Sequence, residues 1–437
     1  MSSAVAAPRA AATVIIVRDG PAGLEVLLLQ RAEKGDHNSG AWVFPGGLVD
    51  ADDRLARPAC TGMDDAQASA RLGLHEGGLD HFVAALRECF EEAGLLLALD
   101  RLGRPVRLDG PEGRVLRDLR GPLHRGECQF AEVCRDHGLT LPTDGLHYVA
   151  HWLTPRGRAK RFDTRFFLAV LPPGQDSAHD AVETTDHVWM TPAQALSPAN
   201  LRRLMTPTRA MLEMLGGFSD CAALVEWARQ PREVSCVLPR LAAGPGGVEP
   251  ILPDHPAYDE VGLLDPDGRG LARCAVQPGT AVALWPGVHR LSSPDGLHNS
   301  YAVCTRPQQE PVADVVVDPA VADEAHLQAL LQAAGGALRW VLTTHDGPAN
   351  VEAARVLMAR AGARGAGPGL DAPSSQAPAG GGPGLRWQQD AGWWLPGDAL
   401  LFCGPRAVAG LPAPAGPAWA APARGFLVAL NPAKETA

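Results

Sequence analysis

Three glutamates lie within five positions of the stretch "LRECFEEAGLLL", which spans residues 86–97. An α-helix advances about 100° per residue, so Glu88, Glu91 and Glu92 would share one helix face. The residues that would form an apolar stripe on the opposite face are Phe82, Leu86, Phe90 and Ala93. Such a helix packs one side into a core and presents a cluster of carboxylates on the other.

Two interpretations of this cluster are open from the helix alone. A solvated acidic face is tolerable, because a like-charge pair one turn apart costs only about 0.2–0.5 kcal/mol. The second interpretation is a site for a hard divalent cation such as Mg²⁺ or Mn²⁺, which prefers oxygen ligands.

The elements around the glutamates predict an α/β domain. β-branched and leucine-rich runs bounded by Gly, Pro and Asp predict strands, and the glutamate helix is expected over about residues 80–98. Residues 51–79 are aperiodic and are expected to be an inserted loop, and helical periodicity runs over residues 198–230. The predicted strands are "ATVIIV", "LEVLLLQR", "AWVFPGG", "HYVAHWLTP", "TRFFLAVLP" and the start of "VETTDHVWMTPAQAL".

A Pro- and Gly-rich stretch at residues 239–256 suits a linker, and the pattern restarts after it. The runs "ADVVVDP", "DEAHLQALLQAAG", "LRWVLTTH" and "NVEAARVLMARAG" then alternate as strand, helix, strand, helix, which indicates a second α/β domain. Residues 363–385 are of low complexity and are expected to form a loop.

Composition narrows the class of protein. A length of 437 residues favours two domains, and a net charge of -10 argues against nucleic acid or an anionic membrane as the main partner. Nine single cysteines without a CxxC pair indicate free thiols, and no apolar run approaches the ~20 residues of a membrane span. We therefore expect a cytoplasmic protein.

The glutamate helix and its surroundings resemble the Nudix hydrolase family. The second half of the family's motif is complete here, with Cys89 as its apolar member: Arg87, Glu88, Cys89, Phe90, Glu91, Glu92, Ala93, Gly94 and Leu95. The first half is "GLVDAD", residues 47–52, followed by Asp53 where the family has Glu. The spacer from Asp53 to Arg87 is far longer than the usual seven residues, as in the coenzyme A diphosphatase subgroup.

An upstream signature of that subgroup fits in one register. Departures occur at Leu29, where the signature has Thr, and at Asp36, where it has a second Arg. The loss of that arginine bears on a substrate that carries several phosphates. Positions that match the signature are Leu27, Leu28, Arg31, Ala32, Gly40, Phe44, Pro45, Gly46, Gly47 and Asp50.

The resemblance implies a role for each residue of the motif. Glu88, Glu91 and Glu92 would hold the metal, Arg87 would orient a carboxylate, and a motif glutamate or Glu183 would act as general base. Arg31 would contact a substrate phosphate, while Gly46 and Gly47 would let the backbone turn tightly beside the metal site. Asp53, one methylene shorter than Glu, is expected to reach Arg87 less well.

The second half of the chain resembles the metallo-β-lactamase fold without its metal ligands. Thr344 and His345 remain of the family's metal motif, but Gly347, Ala349 and Asn350 replace its second His, its Asp and its third His. No histidine follows His345, and Gly404–Pro405 stands where the family has a bridging Gly-Asp. One histidine cannot hold zinc. A weak site made of His345, Asp346 and Asp318 is the alternative.

These observations predict an α/β protein of two domains. A Nudix α/β/α sandwich with a mixed sheet spans residues 10–225, a linker 226–254, and a metallo-β-lactamase-like αββα sandwich 255–437. The expected activity is Mg²⁺- or Mn²⁺-dependent cleavage of a small-molecule diphosphate, with coenzyme A or an acyl-CoA among the candidates. The alternatives are a non-catalytic scaffold, or a metallo-β-lactamase-fold hydrolase with atypical ligands. No nucleic acid or membrane is expected as a partner, and a homodimer is left open.

Overall fold

The computed structural model describes residues 6–32, 39–244 and most of 246–370. Its gaps in the last range are 256, 259–260, 263–264, 273, 275–277, 286, 297 and 306–311, and four further strands lie beyond residue 385. The chain divides into two compact units. One comprises Pro8–Thr154 and Lys160–Cys236, and the other Met1–Ala7, Pro155–Ala159 and Val237–Ala437.

The first unit is built on an eight-stranded sheet. Its spatial order is β10-β7-β8-β1-β2-β3, with β4 paired to β1 and β9 to β2. The pair β1–β8 is parallel and the pairs β1–β2, β2–β9 and β7–β8 are antiparallel, so the sheet is mixed, as the sequence predicts. The strands of this unit are β1 (Arg9–Gly20), β2 (Gly23–Arg31), β3 (Trp42–Val43), β4 (Gly46–Leu48), β5 (Cys60–Thr61), β6 (Leu141–Pro142), β7 (His147–Leu153), β8 (Phe162–Val170), β9 (Thr184–Met190) and β10 (Cys236–Val237).

The helices of the first unit pack on this sheet, and the glutamate helix lies in its main hydrophobic core. Phe82 of the glutamate helix lies 4.6 Å, between ring centroids, from Phe167 of β8, and both side chains are fully buried. The helices are α1 (Asp65–Leu72), α2 (Gly78–Ala93), α3 (Pro111–His124), α4 (Phe130–His137), α5 (Pro192–Leu196), α6 (Thr206–Leu215) and α7 (Cys221–Arg229), with 3-10 turns at Ala51–Ala59 and Thr143–Gly145.

Three of the predicted boundaries in this half are wrong. Residues 51–79 are not a plain loop, because a 3-10 helix and α1 form there, each begun by an aspartate capping box, at Asp50 and at Asp64. The glutamate helix stops at Ala93 rather than residue 98, because Gly94 adopts a left-handed conformation with φ 69°. The helical stretch at 198–230 is two helices, α6 and α7.

The stretch expected to be a linker, residues 239–256, contains a β-hairpin. Its strands are β11 (Arg240–Gly244) and β12 (Gly247–Ile251), paired antiparallel. The hairpin packs on its own small core, which includes Ala242, Ile251 and Tyr258. The Pro and Gly content therefore marks a tight hairpin rather than an unstructured connection.

The second unit contains a six-stranded sheet in chain order from β13 to β18. The pairs β16–β17 and β17–β18 are parallel, as the predicted strand–helix alternation requires. The elements are β13 (Val282–Trp285), β14 (Val288–Ser292), β15 (Asn299–Val303), β16 (Val315–Val317), α8 (Glu324–Ala333), β17 (Trp340–Leu342), α9 (Pro348–Ala361) and β18 (Arg364–Ala366).

The two faces of this second sheet are covered differently. Helices α8 and α9 bury one face through residues such as Leu327, Leu330 and Leu357. Trp393 lies fully buried in the cluster on the other face and donates its indole N–H to the Thr343 carbonyl at 2.9 Å. Trp393 belongs to a four-stranded sheet of β19 (Arg386–Gln388), β20 (Gly392–Leu395), β21 (Leu400–Cys403) and β22 (Phe426–Ala429).

No helix in the described part of the chain is both long enough and apolar enough to cross a bilayer.

Candidate active site

Helix α2 fixes the direction of the three glutamates. Leu86, Cys89, Phe90 and Ala93 are buried against the core, which turns Arg87, Glu88 and Glu91 toward the half-exposed side. Glu92 falls between these faces and is only 3% exposed. The predicted opposition of apolar and acidic faces is therefore present, with one of the carboxylates drawn into the interior.

Arg87 connects the two separated parts of the motif. Its guanidinium donates to Asp53 from Nε at 2.7 Å and from Nη2 at 3.1 Å. Nη1 also donates to Glu88 at 2.8 Å and reaches Glu91 at 3.4 Å. The expectation that Asp53 would reach Arg87 less well is wrong. The 3-10 helix that follows Asp50 carries Asp53 up to the arginine, which compensates for the shorter side chain.

The two glycines before the insertion allow close approach of backbone to carboxylates. The Gly46 N–H donates to Glu92 Oε2 at 2.8 Å. A Cβ on Gly47 would overlap the Glu88 carboxylate, and a Cβ on Gly46 would overlap the backbone of Ala12 and Thr13 in β1. Glycine is therefore required at Gly46 for steric reasons, whereas a side chain at Gly47 would displace the Glu88 carboxylate.

Burial and nearby carboxylate charges raise the pKa values of the three motif glutamates. Burial raises the pKa of Glu88 to about 7, where Arg87 opposes the rise and the charge of Glu91 adds to it. Burial also raises the pKa of Glu91, and it raises that of Glu92 well above its ordinary range with the charge of Glu88 adding. Glu183 contributes to the rise at all three glutamates. Four carboxylates that share one region suit a hard divalent cation, whose charge would offset this repulsion.

The motif glutamates already have hydrogen-bond donors from the protein. Within the described residues, the group of three candidate ligands whose atoms all lie within 4.8 Å of one another is a different one, His179, Asp186 and His187. Glu92 is held by Gly46, and Glu88 and Glu91 by Arg87. Their assignment as metal ligands stays a prediction.

Glu183 lies on a short loop that Asp180 organises. The Asp180 carboxylate accepts the backbone N–H groups of Val182 and Glu183 at 3.1 Å and of Thr184 at 2.7 Å. The Glu183 carbonyl accepts the N–H of Ala32, next to Arg31, at 2.8 Å. Arg31 is close enough to Glu92 to lower its pKa. The fold thus brings the predicted Glu183 and Arg31 to the motif, while Asp36 lies outside the described residues.

Arg120 and His124 of α3 were not anticipated from the sequence. Arg120 donates to the carbonyls of Glu91 at 2.8 Å, Glu92 at 2.7 Å and His179 at 3.4 Å. The His124 ring lies between Glu91 and Asp180, 3.9 Å and 3.8 Å from their carboxylate oxygens. Both residues lie about 30 positions after the motif, in a helix with many basic residues. No pattern in the sequence near them indicates that they contact the motif.

In the second unit, Asp318 is the centre of a small polar network. It accepts from the Thr344 N–H at 2.7 Å and from Asn350 Nδ2 at 3.2 Å, and it lies 3.7 Å from His345 Nδ1. Asp346 is exposed and does not line the adjoining cavity of about 230 Å³. The alternative three-residue site therefore reduces to His345 and Asp318, and Gly404–Pro405 lies outside the described residues.

Comparison with known proteins identifies the first unit. Residues 56–207 match the family model of the NUDT19 Nudix domain. The chain contains a Nudix domain. The chain is 28% identical over 277 residues to the acyl-coenzyme A diphosphatase NUDT19 of Homo sapiens, a match covering 54% of this chain and 73% of that protein. The Gallus gallus protein of the same name is 29% identical over 294 residues, covering 57% and 76%.

A solved structure is also similar to this Nudix domain. The NUDIX hydrolase from Alicyclobacillus acidocaldarius is 26% identical, covers 50% of this chain and 96% of its own, and has a TM-score of 0.43. The family match and the curated relatives support a hydrolase that acts on pyrophosphate bonds. The metallo-β-lactamase resemblance of the second unit stays a prediction.

Proposed function

We propose that this chain hydrolyses the diphosphate of coenzyme A or an acyl-CoA with Mg²⁺ or Mn²⁺. The observation that carries the proposal is the meeting of Glu88, Glu91 and Glu92 with Arg87, at a place where burial and the charge of Glu183 raise the pKa of each of these three glutamates. The substrate class follows from the relatives named acyl-coenzyme A diphosphatase. Nudix hydrolases generally use divalent cations.

The motif residues would share the work in the following way. Glu88, Glu91 and Glu92 would hold the divalent cations, which neutralise negative charge on the diphosphate when bound. Arg87 fixes the rotamers of Glu88 and Glu91 through its hydrogen bonds, and Asp53 fixes Arg87. Gly46 and Gly47 keep the space beside Glu88 open and direct one N–H at Glu92.

A water molecule attacks phosphorus and must lose a proton to a carboxylate. Two carboxylates are the candidates for this role: Glu183, on its Asp180-held loop, and Glu88, whose pKa burial raises to about 7. Arg31, beside Glu92, is the cation that would meet a substrate phosphate.

A panel of substrates tests the proposal. We expect Mg²⁺-dependent turnover of coenzyme A and acyl-CoA esters to exceed that of dinucleotides and nucleotide sugars, and Glu92→Gln to abolish most of it. Preferred turnover of a dinucleotide would refute the substrate class and leave the enzyme class intact. Uniformly zero turnover would favour a non-catalytic scaffold.

For the second unit, the metallo-β-lactamase fold is the arrangement we favour, in a form without metal. A sheet covered by helices on one side and by a second sheet on the other supports this assignment. His345 then serves the Asp318 network as a structural side chain. The same proposal includes the domain limits expected from the sequence, with the Nudix domain ending at residue 225 and the second domain beginning at residue 255.

A further inference from the structure

Two imidazoles face each other at the edge of the Nudix domain, outside the motif. His179 Nδ1 lies 3.1 Å from His187 Nδ1. The Asp186 carboxylate completes a group whose ligand atoms all lie within 4.8 Å of one another. Two nitrogens bound to one tetrahedral zinc at about 2.0–2.1 Å would be about 3.3 Å apart. The histidine pair is therefore already near the separation that such an ion requires.

The backbone on both sides of this group is fixed. The segment before His179 is tied to the end of α2 by a hydrogen bond from the Ala178 N–H to the Ala93 carbonyl at 2.9 Å. Two residues before His179, the same segment contacts β9, because Trp189 Nε1 donates to Ser177 Oγ at 2.9 Å. On the other side, Asp186 and His187 lie opposite Gln30 and Leu29 of β2. Ligands held by rigid elements bind a metal with little ordering cost.

The group lies next to an irregularity in β9. Consecutive side chains of a regular strand point to opposite faces. The register of β9 on β2 shifts between Gln30 and Arg31, next to Asp186. Such a bulge bends the strand and redirects its side chains. Asp186 is exposed, and its Oδ1 accepts the His187 N–H at 2.8 Å, which keeps the carboxylate beside the imidazole.

The chemistry of the group differs from that of the motif. The glutamates offer oxygen alone, which suits Mg²⁺ or Mn²⁺, whereas two imidazoles with one carboxylate suit Zn²⁺ and its neighbours. The group also flanks the loop of Glu183, because His179 precedes it and Asp186 and His187 follow it. We infer that His179, Asp186 and His187 form a second metal site, which binds a divalent transition ion such as Zn²⁺ and clamps the base of the Glu183 loop. This inference does not depend on the identity of the substrate.

Direct metal binding tests the inference. Full-length protein is stripped with EDTA and returned to excess Mg²⁺, and Zn²⁺ affinity is measured by competition with a chromophoric chelator. Co²⁺ absorption reports the ligand geometry. We expect one Zn²⁺ per chain, with His179→Gln and His187→Gln each weakening binding at least about tenfold, since each removes one of three ligands. His75→Gln, a change at an exposed histidine elsewhere, should bind like the wild type.

Further variants and a second measurement separate the possible results. Glu92→Gln should keep the wild-type Zn²⁺ affinity, and a loss there equal to that of the histidine variants would place the zinc at the motif instead. Unchanged affinity in both histidine variants would leave a hydrogen-bonded imidazole pair and overturn the site. Zn²⁺ should raise the melting temperature of the wild type and of His75→Gln but not of His187→Gln. Melts in EDTA confirm that the variants fold.

Discussion

At the residue scale, Glu88 and Glu91 share Arg87 as their hydrogen-bond donor, whereas Glu92 has a backbone donor. Glu92 accepts from Gly46, and Glu91 accepts weakly from Arg87. We expect Glu91→Gln or Glu92→Gln to lower kcat by about 100-fold or more, as when one preorganised electrostatic group is lost from an active site. Steady-state kinetics with saturating Mg²⁺ measure this. Exposed Glu76, changed to Gln, is the control and should retain full activity. If both motif variants kept the wild-type kcat, Glu91 and Glu92 would have no role in the reaction.

The raised pKa of Glu88 predicts a pH-dependent stability. A carboxyl whose pKa rises from 4.5 to about 7 on folding stabilises the fold below pH 4.5, and this contribution is lost as pH rises through 7. Glutamine mimics the protonated form. In EDTA, Glu88→Gln should therefore melt close to the wild type at pH 5 and at a higher temperature at pH 8.

Added Mg²⁺ should reduce that difference, because a bound cation stabilises the ionised carboxylate of the wild type. Thermal melts of both proteins at the two pH values, with and without Mg²⁺, measure the effect. A melting difference that does not change with pH would contradict the shift.

The residues of α2 could be predicted because their relation is local. One helical turn places Glu88, Glu91 and Glu92 together regardless of the rest of the fold. The contact between Arg87 and Asp53 spans 34 residues, and only the resemblance suggested it. Asp53 reaches Arg87 because the backbone turns into a 3-10 helix at the capping residue Asp50. The expectation of a weaker contact considered only the length of the Asp53 side chain.

At the element scale, α3 braces the end of the glutamate helix. Arg120 donates to two terminal carbonyls of α2 and to the His179 carbonyl. Arg120→Met should destabilise the protein by about 1–3 kcal/mol, because half-buried carbonyls lose their donor. Denaturant unfolding measures this, with Arg114→Met as the control, since Arg114 is an exposed residue of the same helix. Equal stability of the two variants would show that water replaces the guanidinium.

Sequence patterns predicted the long elements and failed where the chain caps or bulges. The strands β1, β2, β7 and β8 and the helix α9 form where periodicity indicated. The insertion between Asp53 and Arg87 folds through capping boxes at Asp50 and Asp64, whose signal is a single residue and its neighbour three positions on. The β11–β12 hairpin was missed for a similar reason. Its turn is rich in Gly and Pro, and composition alone does not distinguish such a turn from a linker.

At the scale of the whole molecule, the chemistry is assigned to one unit. The motif contacts described above lie within Pro8–Thr154 and Lys160–Cys236, and His345 belongs to the other unit. Among the described residues, His345 forms an ion pair with Asp318, and these two side chains are fewer ligands than a zinc site needs.

His345→Ala should therefore leave kcat and KM for the best substrate unchanged, while it lowers the melting temperature, because buried Asp318 loses the neighbouring imidazole whose charge lowers its pKa. Asn350→Ala, which removes a direct hydrogen bond to Asp318, is the matched variant and should act in the same direction. Kinetics and melts on the full chain measure both effects. A large loss of kcat at unchanged stability would mean that the second unit takes part in the reaction, because a purely structural network can affect turnover only through the fold.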